Sequence, residues 1–213
     1  DRPRPVVLNT WEAVYFDHNL EKLRELATRA AQVGCERFVL DDGWFHGRRN
    51  DRSGLGDWWV DADVWPDGLA PLIDHVTHLG MEFGIWIEPE MVNRDSDLYR
   101  SHPDWVLADD PDNAVLGRHQ LVLDLGRDEV ATYLFDQLNA LLADHAIGFV
   151  KWDMNRDHVP VSDRASGSMH AQTPGLYALW DALRDAHPTV EFESCSSGGG
   201  RADFEILKRA ERI

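Results

Sequence analysis

The chain has 213 residues and is acidic, because 21 lysines and arginines stand against 38 aspartates and glutamates, a formal charge of −17. That charge repels phosphate backbones and anionic lipid surfaces, so nucleic acid and membranes are not expected partners. No basic leader opens the chain and no apolar run reaches membrane-spanning length, so we expect a soluble protein. Cys35 and Cys195 are predicted at opposite ends of their strands; a disulfide is not expected, and the prediction is a reducing, cytoplasmic location.

One unit recurs along the chain: a short apolar strand, a loop that starts with polar or aromatic residues, and an amphipathic helix. The predicted strands are 6–11 (VVLNTW), 37–42 (RFVLDD), 82–88 (EFGIWIE), 149–155 (FVKWDMN) and 190–195 (VEFESC), with a sixth candidate at 119–125 (HQLVLDL). The predicted helices are about 19–33, 69–79, 128–145, 174–186 and 202–211. Residues 43–68 are rich in Gly, Asp and Trp, which predicts a functional loop or lid.

Alternation of strands and helices predicts an α/β fold with a parallel sheet. No glycine-rich phosphate loop follows any strand, whereas polar residues collect after one strand after another. This pattern is typical of a TIM (β/α)₈ barrel, whose site lies at the carboxyl ends of its strands. Only five or six units are present, so residues 1–213 are expected to form one incomplete barrel domain.

The stretch FVKWDMN carries the clearest chemical signal. Lys151, Asp153 and Asn155 fall at every second position, so they share one face of the predicted strand, while Trp152 and Met154 take the other. A cation beside a carboxylate lowers the pKa of the acid, as a nucleophile requires, which makes Asp153 the candidate nucleophile. The alternative is a buried ion pair that completes a core layer.

Other strand ends offer groups that suit a sugar. Asp41 and Asp42 end the second strand in LDDGW, where two acceptors side by side suit a vicinal diol, although an Asp-Gly turn with a capping carboxylate is the alternative. Trp86 and Glu88 share the inward face of the third strand, and Trp11 follows the first. The chain contains nine tryptophans, and flat aromatic faces cover the apolar side of a pyranose; Trp86 and Trp11 could equally be core residues.

The remaining candidates are less specific. Arg118 could reach a hydroxyl or lie at the surface, and Cys195 opens CSSGGGR, whose glycines let a ligand approach the backbone. This turn lacks the lysine and Ser/Thr of a phosphate-binding loop. His75 and His78 resemble metal ligands only in spacing, and the first strand carries NTW where a barrel metallohydrolase has two histidines. No metal is therefore predicted.

These residues lie in stretches that resemble glycoside hydrolase family 36, the α-galactosidases of bacteria and fungi. The matching stretches, in chain order, are NTWEAVYFD (9–17), FVLDDGWF (38–45), DWWVDADVWPDGL (57–69), FGIWIEPEMV (83–92), HPDWVL (102–107), RHQLVLDL (118–125), FVKWDMNR (149–156) and ESCSSGGGRAD (193–203). The resemblance implies a retaining α-galactosidase on a (β/α)₈ barrel, without metal or cofactor. It makes Asp153 the nucleophile and Asp41, Asp42 and Lys151 ligands of the galactose hydroxyls. It also places six further residues in the galactose pocket: Trp11, Trp86, Arg118, Asn155, Cys195 and Gly198.

The sequence departs from the family pattern in one respect. The family's acid/base aspartate lies in a Ser-Asp motif on the strand after the helix expected to end near Ile213, and no such residue is present. The β domains that flank the barrel in the family are also absent, so a piece of a longer, homo-oligomeric enzyme acting on melibiose- or raffinose-type galactosides is expected. Three alternatives stay open: a galactosyltransferase on the same scaffold, a galactose-binding module without catalysis, and a divalent-metal barrel of enolase type.

Overall fold

The computed structural model describes residues 3–158 and 166–213. Its centre is a parallel sheet of five strands, in the order β1-β2-β3-β6-β7. These strands are β1 (Val7–Asn9), β2 (Arg37–Leu40), β3 (Glu82–Ile87), β6 (Phe149–Trp152) and β7 (Glu191–Ser194). The α/β class and the parallel sheet predicted from the alternating pattern are therefore confirmed.

The strands pair in parallel, so their carboxyl ends all point to the same side of the sheet. Asn9 is paired with Val39 and Leu40 with Ile85, while Ile87 is level with Trp152. The first residue after each strand therefore lies at a common edge. The residues at this edge are Thr10, Asp41, Glu88, Asp153 and Cys195.

Helices connect and cover the strands. They are α1 (Trp11–Val14), α2 (Leu20–Gln32), α3 (Ala70–His78), α4 (Asp97–Ser101), α5 (Asp128–Asp144), α6 (Ser166–Ala186) and α7 (Ser196–Gly199), with 3₁₀ turns at Pro103–Trp105, Pro111–Asn113 and Ile206–Lys208. The predicted helices at 19–33, 69–79 and 128–145 agree with α2, α3 and α5. Among the described residues, no helix combines the length and the apolarity needed to cross a bilayer.

Helix α2 shows the structural basis of its three sequence signals: the N-cap residue, the apolar stripe and the terminating glycine. The Asn19 side chain accepts a hydrogen bond from the Lys22 amide at 3.0 Å, which satisfies one of the free N–H groups of the first turn. Leu23 and Ala27 are fully buried on the stripe that faces the sheet. Gly34 then adopts a φ of +88°, a conformation that glycine reaches without strain and that ends the helix.

Two predictions in the second half of the chain, one strand and one helix, are wrong. The sixth strand candidate, 119–125, forms only β5 (Leu121–Val122), which pairs antiparallel with β4 (Met91–Val92) outside the parallel sheet. The predicted helix 202–211 contains only the turn Ile206–Lys208, because the chain soon rejoins the sheet: the Ser194 amide donates to the Arg212 carbonyl at 2.9 Å, in a parallel bridge beside β7.

Two other elements are longer or better packed than predicted. Helix α6 begins at Ser166, and Pro174 lies inside it rather than at its first turn. Residues 43–68 do form a loop, but Trp44, Phe45 and Trp58 are fully buried in the core. The loop is therefore a packed part of the domain, since its aromatic side chains fill space that a mobile lid would leave empty.

Charged residues also lie at the amino ends of the strands. Arg37, at the start of β2, donates to Glu191, at the start of β7, at 2.7 Å, and to Glu82 of β3. Arg212 donates to the other oxygen of Glu191 at 2.9 Å, and the Arg37 guanidinium lies 4.0 Å from the centre of the Phe149 ring. We call these five residues the amino-end cluster. Because β2 and β7 are not neighbours in the sheet, their contact shows that the sheet curves around the amino-end cluster.

Candidate active site

A cavity of about 590 Å³ opens at the carboxyl ends of the strands. This volume lies within the range of about 300–1,000 Å³ that is usual for small-molecule sites. All of the predicted site residues line it: Trp11, Asp41, Asp42, Trp86, Arg118, Lys151, Asp153, Asn155, Cys195 and Gly198. Residues from five strand ends and from the loop before β5 therefore meet in one place.

Asp153 follows β6 and is only 6% exposed. Its Oδ1 accepts hydrogen bonds from the main-chain amides of Met154 and Ser197 at 2.9 and 3.0 Å. Its Oδ2 accepts from the Trp86 indole at 3.0 Å and from the Asn155 side chain at 2.7 Å. Burial raises the pKa of Asp153, but these donors outweigh it and the pKa is lowered, so the group is an ionised carboxylate suited to nucleophilic attack.

The predicted partner of Lys151 is wrong. Its Nζ donates to Asp41 Oδ2 at 2.9 Å, not to Asp153 beside it on the same strand face. The long lysine side chain reaches across the curved sheet to the end of β2. There the side-chain amide of Asn9 also donates to Asp41 Oδ2, at 2.6 Å. Burial lowers the pKa of Lys151, but the charge of Asp41 and the hydrogen bond to it act together with smaller effects to raise the pKa, so the amine stays protonated. Asp153 is therefore kept ionised chiefly by neutral donors.

Asp42 has a cation of its own. Its two oxygens accept from Arg48 Nε and Nη2, both at 2.8 Å, in a bidentate pair. Arg48 is held in turn by the Ser53 carbonyl and the Asn93 side chain at 2.9 and 3.1 Å. Burial raises the pKa of Asp42 against the opposing effect of Arg48. The two adjacent aspartates thus face different cations, as their position at a strand end allows.

Only two of the nine tryptophans, Trp11 and Trp86, line the cavity. Trp11 is half-buried, and its main-chain amide donates to the Asn9 side chain at 2.9 Å. The Trp86 ring stacks against Phe45, with the ring centres 6.3 Å apart. Most of the other tryptophans, such as Trp152, are core residues, so only Trp11 and Trp86 stay candidates for covering a sugar ring.

The loop after β7 presents main-chain donors to the cavity. Ser196 and Ser197 have φ values of +41° and +56°, a strained region for residues other than glycine, and Gly198 follows at +86°. This backbone directs the Ser197 amide at Asp153, and the Ser197 hydroxyl donates to Asn155 Oδ1 at 2.9 Å. Burial, followed by the charge of Asp153, raises the pKa of the Cys195 thiol to about 11, so the thiol is neutral.

A buried ion pair fixes the end of this loop. Glu90 is 1% exposed and accepts from Arg201 at 2.7 Å and from the Trp152 indole at 3.0 Å. Arg201 belongs to the stretch CSSGGGR, and Trp152 is the last residue of β6. The pair therefore ties the loop after β7 to the strand that carries Asp153.

Sequence reasoning missed several residues that line the cavity, namely Glu12, Phe16, Arg48, Asp51, Glu88, Gln120 and Ser197. Glu88 was on the predicted inward face with Trp86, so the strand periodicity already contained its signal. Arg48 lies within a long loop, and Ser197 acts through its main-chain amide, so no side-chain pattern marks either of them. Arg118, which was predicted, is exposed at the rim with a φ of +52°.

No group of three or more His, Cys, Asp or Glu side chains in the described ranges is arranged to hold a metal ion. His75 packs against α2, where its ring lies 3.0 Å from the Thr28 hydroxyl, and His78 is exposed. Cys35 and Cys195 are both free thiols, as expected.

Fold and cavity together define an α/β protein with an acidic, tryptophan-edged pocket at the carboxyl ends of parallel strands. The family model described as Melibiase matches residues 1–213. An α-galactosidase of Escherichia coli is 53% identical over 210 residues, which are 99% of this chain and 30% of that protein. The chain belongs to the Melibiase family, and it spans about 30% of the length of the relatives it matches.

Solved structures agree with this assignment. The crystal structure of the GH36 α-galactosidase AgaA from Geobacillus stearothermophilus superposes with a TM-score of 0.92 at 45% identity, covering 99% of this chain and 30% of that one. A variant of the same enzyme, solved in complex with raffinose, superposes with a TM-score of 0.91 at 44% identity, covering 98% and 30% of the two chains.

Proposed function

We propose that residues 1–213 are part of the catalytic domain of a retaining α-galactosidase, and that the five parallel strands belong to a (β/α)₈ barrel. Two contacts across the inside of the sheet support the barrel. Arg37 of β2 meets Glu191 of β7, and Lys151 of β6 meets Asp41 after β2, although neither pair of strands is adjacent. The parallel bridge of Arg212 beside β7 supports a further strand in the same sheet.

The observation that carries the proposal is the environment of Asp153. It is an ionised carboxylate with four neutral donors, it lies in a cavity of about 590 Å³, and the described structure gives it no ion pair. An ionised carboxylate that forms no ion pair is available to attack an electrophilic carbon. Asp153 attacks the anomeric carbon and displaces the leaving oxygen, and water then hydrolyses the galactosyl ester with net retention.

The other groups of the cavity fit the sugar by their chemistry. Asp41 and Asp42 accept from hydroxyl groups, and Lys151 donates. The apolar faces of Trp11 and Trp86 cover the C–H side of the ring. Four further residues complete the proposed galactose pocket: Arg118, Asn155, Cys195 and Gly198.

The proton donor for the leaving oxygen is proposed to lie beyond Ile213, on the strand that the bridge at Arg212 begins. Retention requires its carboxyl group about 5–5.5 Å from Asp153. The activity is therefore assigned to the longer protein, acting on melibiose- or raffinose-type galactosides without a metal or other cofactor. A homo-oligomer in the cytoplasm remains our expectation for that protein.

The test replaces Asp153 in the full-length protein. Asp153→Asn keeps the shape of the side chain but replaces one accepting oxygen by an NH₂ group and removes the nucleophile, so hydrolysis of a chromogenic α-galactoside should fall by at least about 10⁴-fold. Galactose binding, measured by calorimetry, should survive. Asp153→Gly leaves room for azide, which should restore leaving-group release and yield β-galactosyl azide, because it attacks from the side that Asp153 occupied.

Near-normal turnover by Asp153→Asn would contradict the assignment. Galactose binding by a wild-type protein that releases no product would instead support the binding-module alternative. Loss of wild-type turnover in chelator would favour the metal-dependent alternative.

A further inference from the structure

Glu88 is a buried acid of the cavity that the double displacement does not use. It follows β3, is 1% exposed, and lines the same cavity as Asp153. Its Oε1 accepts from the Asn155 main-chain amide and its Oε2 from the Gln120 side chain at 3.1 Å. Both donors are neutral.

The neighbouring buried acids differ from Glu88 in having cations. Asp41 is paired with Lys151, Asp42 with Arg48, and Glu90 with Arg201, at 2.7–2.9 Å. Within residues 3–158 and 166–213, Glu88 forms no ion pair. A fully buried carboxylate is costly to ionise when its described donors are all neutral and are fewer than the four of Asp153.

We propose that Glu88 is a positioning residue that keeps its proton at neutral pH, so that Asp153 carries the unpaired negative charge among the buried acids described around the cavity. Burial first, and then the charges of Asp153 and Asp42, raise the pKa of Glu88 to about 8. The charged groups that share the cavity with it are Asp153 after β6, Asp41 with Lys151, Asp42 with Arg48, and, nearer the rim, Glu12, Asp51 and Arg118.

The Gln120 side chain offers an acceptor for the proton of Glu88. It is 2% exposed, and its carbonyl oxygen has no hydrogen-bond partner although it is fully buried. Turning the amide by 180° presents that oxygen to a protonated Glu88, and the NH₂ group takes the buried position that the oxygen leaves. The proton thus satisfies an acceptor that an ionised Glu88 leaves without a partner.

The position of Glu88 links it to the reaction, and this step rests on the proposed function. Glu88 holds the Asn155 main chain, and the Asn155 side chain donates to Asp153 at 2.7 Å. The same side chain accepts from Ser197, whose amide also donates to Asp153. Without Glu88, Asn155 loses its anchor and Asp153 loses a donor, while a neutral Glu88 adds no like charge.

The experiment compares Glu88→Gln with Glu88→Ala in the full-length protein. Glu88→Gln keeps an acceptor for Asn155 and a donor for Gln120, so kcat should stay within about 3-fold of wild type, whereas Glu88→Ala should lose about 10- to 100-fold. The acid limb of kcat/KM, which reports Asp153, should not move in Glu88→Gln, because no charge is removed there. It should move to higher pH in Glu88→Ala. Glu129→Gln, an exposed acid at the start of α5, is the matched control and should change neither quantity.

Infrared spectroscopy tests the proton without turnover, so it can fail or succeed separately from the proposed activity. Wild-type protein at neutral pH should show a protonated-carboxyl band that shifts on ¹³C labelling of glutamate, titrates near the pKa of about 8, and is absent from Glu88→Gln. A missing band would overturn the proposal. So would an acid limb that moves to lower pH in Glu88→Gln, because it would show that a negative charge had been removed, and so would an inactive but folded Glu88→Gln.

Discussion

The two ends of the parallel sheet both bury charge, but they use it differently. In the amino-end cluster, Arg37 and Arg212 meet Glu82 and Glu191, so two cations balance two carboxylates. At the carboxyl ends, Lys151 and Arg48 neutralise Asp41 and Asp42, and two more acids, Asp153 and Glu88, are left without a cation in the described structure.

This difference in pairing distinguishes buried charges with a structural role from those available to a ligand. Charges that satisfy each other across the sheet hold strands together and leave nothing for a ligand. At the other end, Asp153 is held ionised by neutral N–H groups, which lower its pKa without cancelling its charge. Whether a charged residue has a partner of opposite charge therefore distinguishes the two ends of the sheet. Burial does not, because charged residues are buried at both ends.

The largest expected effects come from removing one cation at each end. Arg37→Met leaves Glu82 without its described partner and weakens the hold on Glu191, so the free energy of unfolding should fall by about 3–5 kcal/mol in urea titrations of the full-length protein. The folded fraction should bind galactose as wild type does. A variant that loses galactose affinity while keeping its stability would break the contrast between the ends.

Lys151→Met is the matched change at the carboxyl ends. It leaves Asp41 without a cation, but Asp41 faces a cavity that water can enter, so the stability loss should be less than about half that of Arg37→Met. Turnover and galactose affinity should fall by about 10- to 100-fold, because the proposed donor to the sugar is lost. Equal stability losses in the two variants would show that the ends do not differ.

Much of this arrangement was predictable from strand periodicity. Period-two alternation placed Lys151, Asp153 and Asn155 on one face, and all three line the cavity. Strand ends also predicted where Asp41 and Cys195 would lie, because carboxyl ends of parallel strands meet at one edge. These predictions needed only local geometry.

The rest depends on how distant segments meet. The partner of Lys151 follows from the curvature of the sheet, and the partner of Asp42 comes from a long loop whose path no periodicity describes. The Ser197 amide acts through a positive φ, which the residue type does not indicate. The sixth strand failed because the apolar run at Leu121 and Val122 pairs with the equally short β4 instead of joining the sheet.

A smaller effect is expected from the ion pair of Glu90 and Arg201, which lies beside the cavity. Its two charges neutralise each other, as the charges of the amino-end cluster do. Glu90→Gln leaves the charge of Arg201 without a counter-ion and loosens the loop that carries the Ser197 amide. We expect about 1–3 kcal/mol of lost stability and about a 10-fold lower kcat/KM. Since Asp153 then loses a donor, its pKa rises, and the acid limb should move to higher pH.

The control for Glu90→Gln is Asp181→Asn, which breaks the bidentate pair with Arg209 in the same half of the chain. Asp181 is half exposed in its side chain, so the loss should stay under about 1 kcal/mol and the acid limb should not move. An unmoved acid limb in Glu90→Gln would mean that the loop holds its position without the buried pair.

The smallest effect tests the neutral donors themselves. Trp86→Phe keeps an aromatic ring in the cavity but removes the indole N–H that donates to Asp153 at 3.0 Å. One of four donors is lost and water in the cavity replaces part of it, so the pKa of Asp153 should rise only slightly. A group with a depressed pKa loses its charge as pH falls, so activity should be lost at a higher pH than in wild type. If the acid limb stays in place while Lys151→Met shifts it, then a cation rather than neutral donors keeps Asp153 ionised, and the distinction between the two ends of the sheet is gone.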